Sequence, residues 1–357
     1  MRFGLGVPAQ AHSRKKGATM AQQYPWRPWT TDLAVREDGQ RVALADNTFE
    51  WWYFDAMMDD GSTCVLNFLS KPPFVNGPPM PVLQFNISTP VWDRLQSVAL
   101  MPANTYSAAS DRCAVTMGKS SVMGDLHTYM IHAEGAAEDG TPMQADLTLR
   151  RVVPGWRTGP YLTPDEAATI FLGEQVVIPS GTVEGTLSYG GASYNVRGNC
   201  YHDHQWGGIG VPGAADVVLK YWYWGRVQAG DHAVAVAQVY GSVNNGPVEP
   251  VTTLWTYARG TAMTYDDTVG AVTVTPKDVS EGVPGTLDIV WTPGAAPGTS
   301  APLLGSVRFS LHSAQKIADF GPEYVRFVCP STLTSDFAGE SFSIDGRAIW
   351  EIMHLPK

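Results

Sequence analysis

The chain has 357 residues, 44% of them apolar and 16% charged, which is ample material for packed cores and too little charge for a disordered chain. Its formal net charge is −10, and the only basic run, Arg14-Lys15-Lys16, lies in the N-terminal tail, so nothing tracks a phosphate backbone and nucleic acid is not an expected partner. No segment approaches the ~20 apolar residues of a membrane span, and the N-terminal stretch lacks the ~7–15 apolar residues of a secretory signal.

The length exceeds what one hydrophobic core usually serves, so two packed modules are expected. The 36 Gly and 26 Pro suit many short strands joined by tight turns. Cys64, Cys113, Cys200 and Cys329 are far apart and form no CxxC pair, which points away from a zinc knuckle or a redox dithiol and toward a reducing, cytoplasmic setting. Residues 1–20 read as a disordered extension, with Met20 as an alternative start.

The first informative element is Phe49-Glu50-Trp51-Trp52-Tyr53-Phe54-Asp55. On a strand, Glu50, Trp52 and Phe54 face one side, and Phe49, Trp51, Tyr53 and Asp55 the other. An acid among rings is costly to ionise, so Glu50 reads either as a neutral proton donor or as half of a structural salt bridge with Arg226 or a histidine. A turn at Asp60-Gly61 and the apolar Cys64-Val65-Leu66 follow. Farther on, Ala145, Leu147 and Leu149 alternate with polar neighbours after a turn at Asp139-Gly140, which predicts a half-buried strand. Thr163-Pro164-Asp165-Glu166 reads as the start of a short helix, with Thr as N-cap and Pro in the first turn.

A turn at Gly190-Gly191 precedes the densest constellation, Tyr201-His202-Asp203-His204-Gln205-Trp206. Alternation sets His202, His204 and Trp206 opposite Tyr201, Asp203 and Gln205, and leaves open which set faces a pocket. His202 and His204 also have the spacing of two metal ligands on a strand, with Glu50 as a possible third. A single such spacing is too common to assign a metal.

Next comes Lys220-Tyr221-Trp222-Tyr223-Trp224-Gly225-Arg226, with Trp222, Trp224 and Arg226 on one face. Such rings serve either as core or as walls for an apolar ligand whose passing cation they would stabilise. A turn at Gly230-Asp231 and Val234-Ala235-Val236 complete a hairpin that echoes the Glu50 segment, suggesting two related β-modules, although two hairpins can be alike by chance. Turns at Asn245-Gly246 and Asp345-Gly346, a strand through Val307, Phe309 and Leu311, and an exposed loop from Pro293 to Pro302 finish the reading. The expected architecture is all-β, with residues 21–195 and 196–357 as the two domains.

Glu50-Trp51-Trp52-Tyr53-Phe54-Asp55, Tyr201-His202-Asp203-His204-Gln205-Trp206-Gly207 and Tyr223-Trp224-Gly225-Arg226, in this order, resemble the lipocalin-like family of carotenoid 1,2-hydratases (hydroxyneurosporene synthases). They resemble more distantly the fungal lipocalin-like Diels–Alderases. The resemblance spans roughly residues 45–355; the hydratases usually carry Asn where this chain has Gln205. It implies two lipocalin-like antiparallel β-barrel or sandwich modules packed side by side, a deep pocket at or near their junction, and chemistry on an isoprenoid or polyene that needs no organic cofactor.

Three functions follow. The first is acid-initiated hydration, dehydration or cyclisation of an isoprenoid-type alkene or tertiary alcohol. Here Glu50 or Asp203 is the acid, His202 or His204 its support, and Trp206, Trp222 and Trp224 shield the cation. Trp51, Trp52, Tyr53, Tyr201 and Arg226 complete the expected substrate contacts. The second is pericyclic closure of a folded polyene, and the third is binding of an apolar ligand without chemistry. No Gly-x-Ser-x-Gly elbow, Walker loop or dinucleotide turn is present, which argues against hydrolase, NTPase and nicotinamide chemistry. The assembly is expected to be a monomer or homodimer.

Overall fold

The computed structural model describes residues 29–30, 33–73, 75, 77–90, 94–158, 173–208, 217–230, 232–243, 249–258, 261–266, 270–280, 283–293, 304–312, 315–319, 324–337 and 340–354. Among them are many strands, two 3-10 turns (Val35–Asp38 and Ala103–Thr105) and no α-helix. The N-terminal extension, the helix start at Thr163, the Asn245-Gly246 turn and the loop beyond Pro293 lie outside the described residues.

The first sheet contains β1 (Trp29–Thr30), β2 (Thr48–Met58), β3 (Thr63–Leu69), β4 (Val82–Ser88), β5 (Leu95–Leu100), β6 (Tyr106–Ala108) and β7 (Ala114–Met117). It continues with β8 (Ser120–Gly124), β9 (Thr128–Ala136), β10 (Pro142–Arg151), β11 (Trp156–Thr158), β12 (Gly173–Tyr189) and β13 (Ala192–Gly208). The second holds β14 (Val217–Ala229), β15 (His232–Val243), β16 (Glu249–Ala258), β17 (Thr261–Asp266) and β18 (Gly270–Ser280). β19 (Val283–Pro293), β20 (Leu304–His312), β21 (Gln315–Asp319), β22 (Tyr324–Phe337) and β23 (Glu340–His354) complete it. The paired strands run antiparallel.

The main path of the first sheet is β5-β4-β3-β2-β13-β12-β10-β9-β8-β7-β6, and that of the second is β17-β16-β15-β14-β23-β22-β20-β19-β18. From β5 to β8 and from β17 to β18 the two orders match strand for strand, so the echoed hairpins β2-β3 and β14-β15 occupy equivalent places. Each sheet curls until its ends approach, β5 against β9 in the first and β17 against β18 in the second. This is the predicted pair of lipocalin-like β-modules. The expected boundary at 195/196 falls inside β13, and the chain passes from one sheet to the other between Gly208 and Val217.

Turn chemistry explains several connections. Gly190 and Gly191 take φ +58° and +79° between β12 and β13, a left-handed pair that glycine adopts without a Cβ clash. Asp345-Gly346 departs from expectation, because both residues lie within β23 and pair with Thr332 and Ser331. The glycine serves close strand approach: a Cβ there would meet the Gln228 carbonyl oxygen at 2.2 Å.

Alternation builds the cores. Ala145, Leu147 and Leu149 are buried as predicted, and the first barrel's interior joins them to Trp52, Phe54, Leu66 and Phe85. The second interior gathers Val227, Val236, Phe327, Leu333, Trp350 and Ile352. A third cluster lies between the sheets, where Phe49, Trp51, Tyr53 and Tyr201 meet Trp224, Ala235, Val328 and Ile349.

The junction is pinned by charge as well as by rings. Arg226 donates through Nε to Asp55 Oδ1 (2.8 Å), pairs with the same oxygen through its terminal nitrogen, and reaches Asn199 Oδ1 (3.0 Å). Arg226 is 2% and Asp55 1% exposed, so the expected substrate contact of Arg226 is instead a buried ion pair that fastens one sheet to the other. Truncating one member strands the other charge in a medium that solvates it poorly. Arg226→Met is therefore expected to lower unfolding free energy by about 3–5 kcal/mol, read by urea denaturation, with part of the loss recovered in the Asp55→Asn/Arg226→Met double variant.

Candidate functional site

β2 and β13 pair with Glu50 opposite Trp206, Trp52 opposite His204, Phe54 opposite His202, Tyr53 opposite Asp203 and Asp55 opposite Tyr201. The alternation read from sequence therefore separates two chemistries. Glu50, Trp52, His202 and His204 enter the first barrel, whereas Trp51, Tyr53, Asp55 and Tyr201 turn toward the second sheet, the side of β13 that also carries Asp203.

Inside the barrel the polar residues are closed into a network. Trp52 stacks on His204 with centroids 4.5 Å apart, and Phe54 on His202 at 4.0 Å. His204 Nε2 donates to Glu50 Oε1 (2.8 Å), and the same oxygen accepts the Arg41 amide (2.6 Å). His202 Nδ1 donates to the Tyr53 carbonyl (2.9 Å), leaving Nε2 at 3.2 Å from Asp38 Oδ2. His204 Nδ1 lies 3.3 Å from Asp38 Oδ1, and Tyr129 and Gln175 also donate to Asp38. Burial acts to raise the Asp38 pKa, but His202 and His204 outweigh it and hold the carboxyl well below its ordinary value. Burial likewise pushes His204 down, and hydrogen bonds to Asp38 and Glu50 prevail and raise it.

Of the two readings of Glu50, the geometry shows the ion pair, with histidine rather than Arg226 as partner. Asp38, Glu50, His202 and His204 are each at most 1% exposed. Asp38 was not found from sequence, because it sits on a 3-10 turn with no periodic pattern around it. Its ligand atoms, with those of Cys113 and His202, lie within 4.8 Å of one another, the one such group among the described residues. His202 is bound to Tyr53 and Asp38, and Asp38 to Tyr129, so we read the group as part of the network. Trp206 belongs to this side too, its ring 5.1 Å from His204.

The other face of the same strands borders a recess between the sheets. It is a narrow recess, open on one side and with room for little more than a water, lined by Trp156, Glu174, Tyr201 and Trp224 with Ala235 and Ala237. Tyr201 and Trp224 pack edge to face at 5.2 Å, and Tyr53 meets Trp224 at 5.4 Å. The deep pocket implied by the resemblance is thus a narrow opening at the expected place, and Trp52, Trp206 and Glu50 stand outside it. Trp222 donates to Glu351 Oε1 (3.2 Å), which also pairs with Arg326 through its other oxygen (3.1 Å). The Arg326 guanidinium lies over Tyr53, 5.0 Å from its centroid.

Electrostatics distinguish this side. Burial holds Asp203 far above the usual carboxylate range, and the nearby Glu174 adds to the effect. Burial pushes Glu174 up to about 7. Trp156 Nε1 is buried without a hydrogen-bond partner among the described residues, while the Tyr201 hydroxyl and the Asp203 carboxyl interact with each other. Trp156 and Glu174 escaped the sequence reading: Trp156 is isolated, and Glu174 lies just beyond the apolar run Val176-Val177-Ile178 whose alternation would have placed it beside Val176.

The fold and junction define the class, a two-module lipocalin-like β-protein. Among solved structures, the chain is similar to CghA with Sch210972 (TM-score 0.56, 16% identity, 90% of this chain and 96% of that one). It is also similar to kievitone hydratase from Nectria haematococca (TM-score 0.56, 13% identity, 90% and 92%). A third likeness is to an AttH-like protein from Nitrosomonas europaea (TM-score 0.56, 14% identity, 91% and 98%). No family model matches the chain, and no curated protein matches it in sequence. At these identities the likeness is one of fold, and it agrees with the resemblance carried by the three motifs.

Two outcomes test these assignments. Asp38→Asn keeps the side-chain volume but removes the charge on which His202 and His204 converge, so a loss of about 3–5 kcal/mol in unfolding free energy is expected by denaturant titration. Glu174 behaves differently, because its folded pKa of about 7 lies above the ordinary 4.5. The unfolded chain releases that proton first, so stability falls as pH rises from about 4.5 through about 7. Thermal melts across that window should show the fall, and Glu174→Gln should remove its share of it.

Proposed function

We propose that the protein is a cofactor-independent enzyme of acid-initiated chemistry on an alkene or alcohol, a hydratase, dehydratase or cyclase, with its reaction centre in the recess between the sheets. The observation that carries this reading is the pair of carboxyl groups beside the ring-lined recess, Asp203 held far above the usual carboxylate range and Glu174 balanced near pH 7. A general acid works best when its pKa is close to the working pH.

In this reading Glu174, which faces the recess, gives its proton to a double bond or to a departing hydroxyl. Once Glu174 has given up its proton, its negative charge further favours the protonated form of Asp203 beside it, so the pair carries a single charge. Tyr201, Trp156 and Trp224 offer ring faces to the developing cation, an attraction of about 2 kcal/mol or more when water is excluded. Water, a neighbouring double bond or loss of a proton then decides between hydration, cyclisation and elimination. Glu50, His202 and His204 hold the strands that carry this face instead of touching substrate. The name of kievitone hydratase supports water transfer on this fold, and a cytoplasmic setting fits the free, buried cysteines.

Turnover of candidate isoprenoid or aryl alkenes by the purified chain, followed by mass spectrometry, tests the reading. Glu174→Gln is expected to lower kcat about 10²–10⁴-fold, whereas Glu50→Gln, assayed where it is folded, should keep most of it. Because the acid must be protonated, kcat/KM should fall as pH rises through about 7. Full retention of rate in Glu174→Gln would instead favour closure of a polyene by shape alone.

A further inference from the structure

Trp156 lies on β11, paired with Val176 of β12, and its ring lines the recess while its Nε1 is buried without a partner among the described residues. An indole N–H can only donate. The buried Tyr201 hydroxyl and Asp203 carboxyl lie on the same side of the junction and interact with each other. A hydrocarbon placed here would leave the Trp156 N–H unpaired, and a site with a buried polar group discriminates against a ligand that cannot meet it.

Charge narrows the ligand further. Glu174 is the one ionisable acid in the lining, with Asp203 and Glu351 close behind it. The nearby guanidinium groups are already engaged, Arg226 by Asp55 and Arg326 by Glu351. Among the described residues, an anionic ligand would meet these carboxyl groups with both nearby guanidinium groups already ion-paired.

We infer that the recess receives the oxygen of a neutral ligand, a ketone or an alcohol, which accepts a hydrogen bond from Trp156 Nε1 while the carbon skeleton lies at the open side, and that Trp156 is a specificity-determining residue. This rests on the recess being the ligand site proposed above. It moves the substrate class away from an unfunctionalised polyene and toward a ring compound with an oxygen next to the reacting carbons.

The test compares three ligands of one ring size on the full chain at neutral pH: cyclohexanone, methylenecyclohexane and cyclohexanecarboxylate, with affinity read by quenching of tryptophan fluorescence. Cyclohexanone should bind about tenfold more tightly than methylenecyclohexane, a difference of roughly 1.4 kcal/mol, and the carboxylate should bind more weakly than the ketone. In Trp156→Phe, which keeps an aromatic ring and loses the N–H, the ratio of ketone to alkene affinity should collapse toward unity. Equal binding of ketone and alkene by the unaltered protein overturns the inference, and needs no variant to fold. So does a preference that survives Trp156→Phe, or tighter binding of the carboxylate. Ketone preference without turnover of any alkene or alcohol would leave this inference standing and remove the proposed reaction. Turnover of a plain hydrocarbon alkene without ketone preference would do the reverse.

Discussion

The pairing of β2 with β13 is the constraint from which the rest follows. Two strands in register, each alternating polar and aromatic residues, must send neighbours in sequence to opposite sides of one sheet. Glu50 and Tyr53, or His202 and Asp203, are within three residues of each other, yet one member of each pair is sealed in a barrel and the other serves the junction. A one-residue slip would exchange the two environments, burying Asp203 beside Asp38 and delivering the histidines to Trp224. The register is held because both faces are buried and each is chemically particular.

Those faces solve the same electrostatic problem in opposite ways. In the barrel Asp38 and Glu50 accept hydrogen bonds from imidazole, phenol or amide donors within a few ångströms, and the Asp38 carboxyl pKa is held well below its ordinary value. Beside the recess the cations are drawn to Asp55 and Glu351, while Asp203 and Glu174 are left to burial, which favours their neutral forms. The first arrangement makes a rigid wall. The second leaves two carboxyl groups that hold their protons to higher pH than usual, next to the rings of Tyr201 and Trp224.

The fold was largely legible in the sequence because period-two alternation and glycine turns are local signals. The hairpins at Asp60-Gly61, Asp139-Gly140 and Gly190-Gly191, the strand through Leu147, and the division of residues 201–206 between two faces all came from neighbours along the chain. Asp345-Gly346 misled because a glycine that admits a neighbouring strand looks, in sequence, like one that bends the chain. The site was legible only in part. Tyr201, Asp203 and Trp224 were found through their clusters, but their companions Trp156 and Glu174 come from separate strands that pairing alone brings near. Asp38, which decides what Glu50 and the two histidines do, stands in no pattern at all.

The matched strand orders of the two sheets carry a consequence of their own. β13 and β23 occupy the same place in their modules, yet β13 fills its barrel with histidines while β23 fills its own with Trp350, Ala348 and Ile352. The first half of the molecule thus adds a buried ion network to its apolar core at a place where the second relies on apolar packing. A rise in temperature weakens neither in the same way as a change in acidity or cosolvent does, because apolar packing and ion pairing answer to different properties of water. Two sheets of one strand order would then loosen under different insults, while the Arg226–Asp55 clasp obliges each to feel the other's failure.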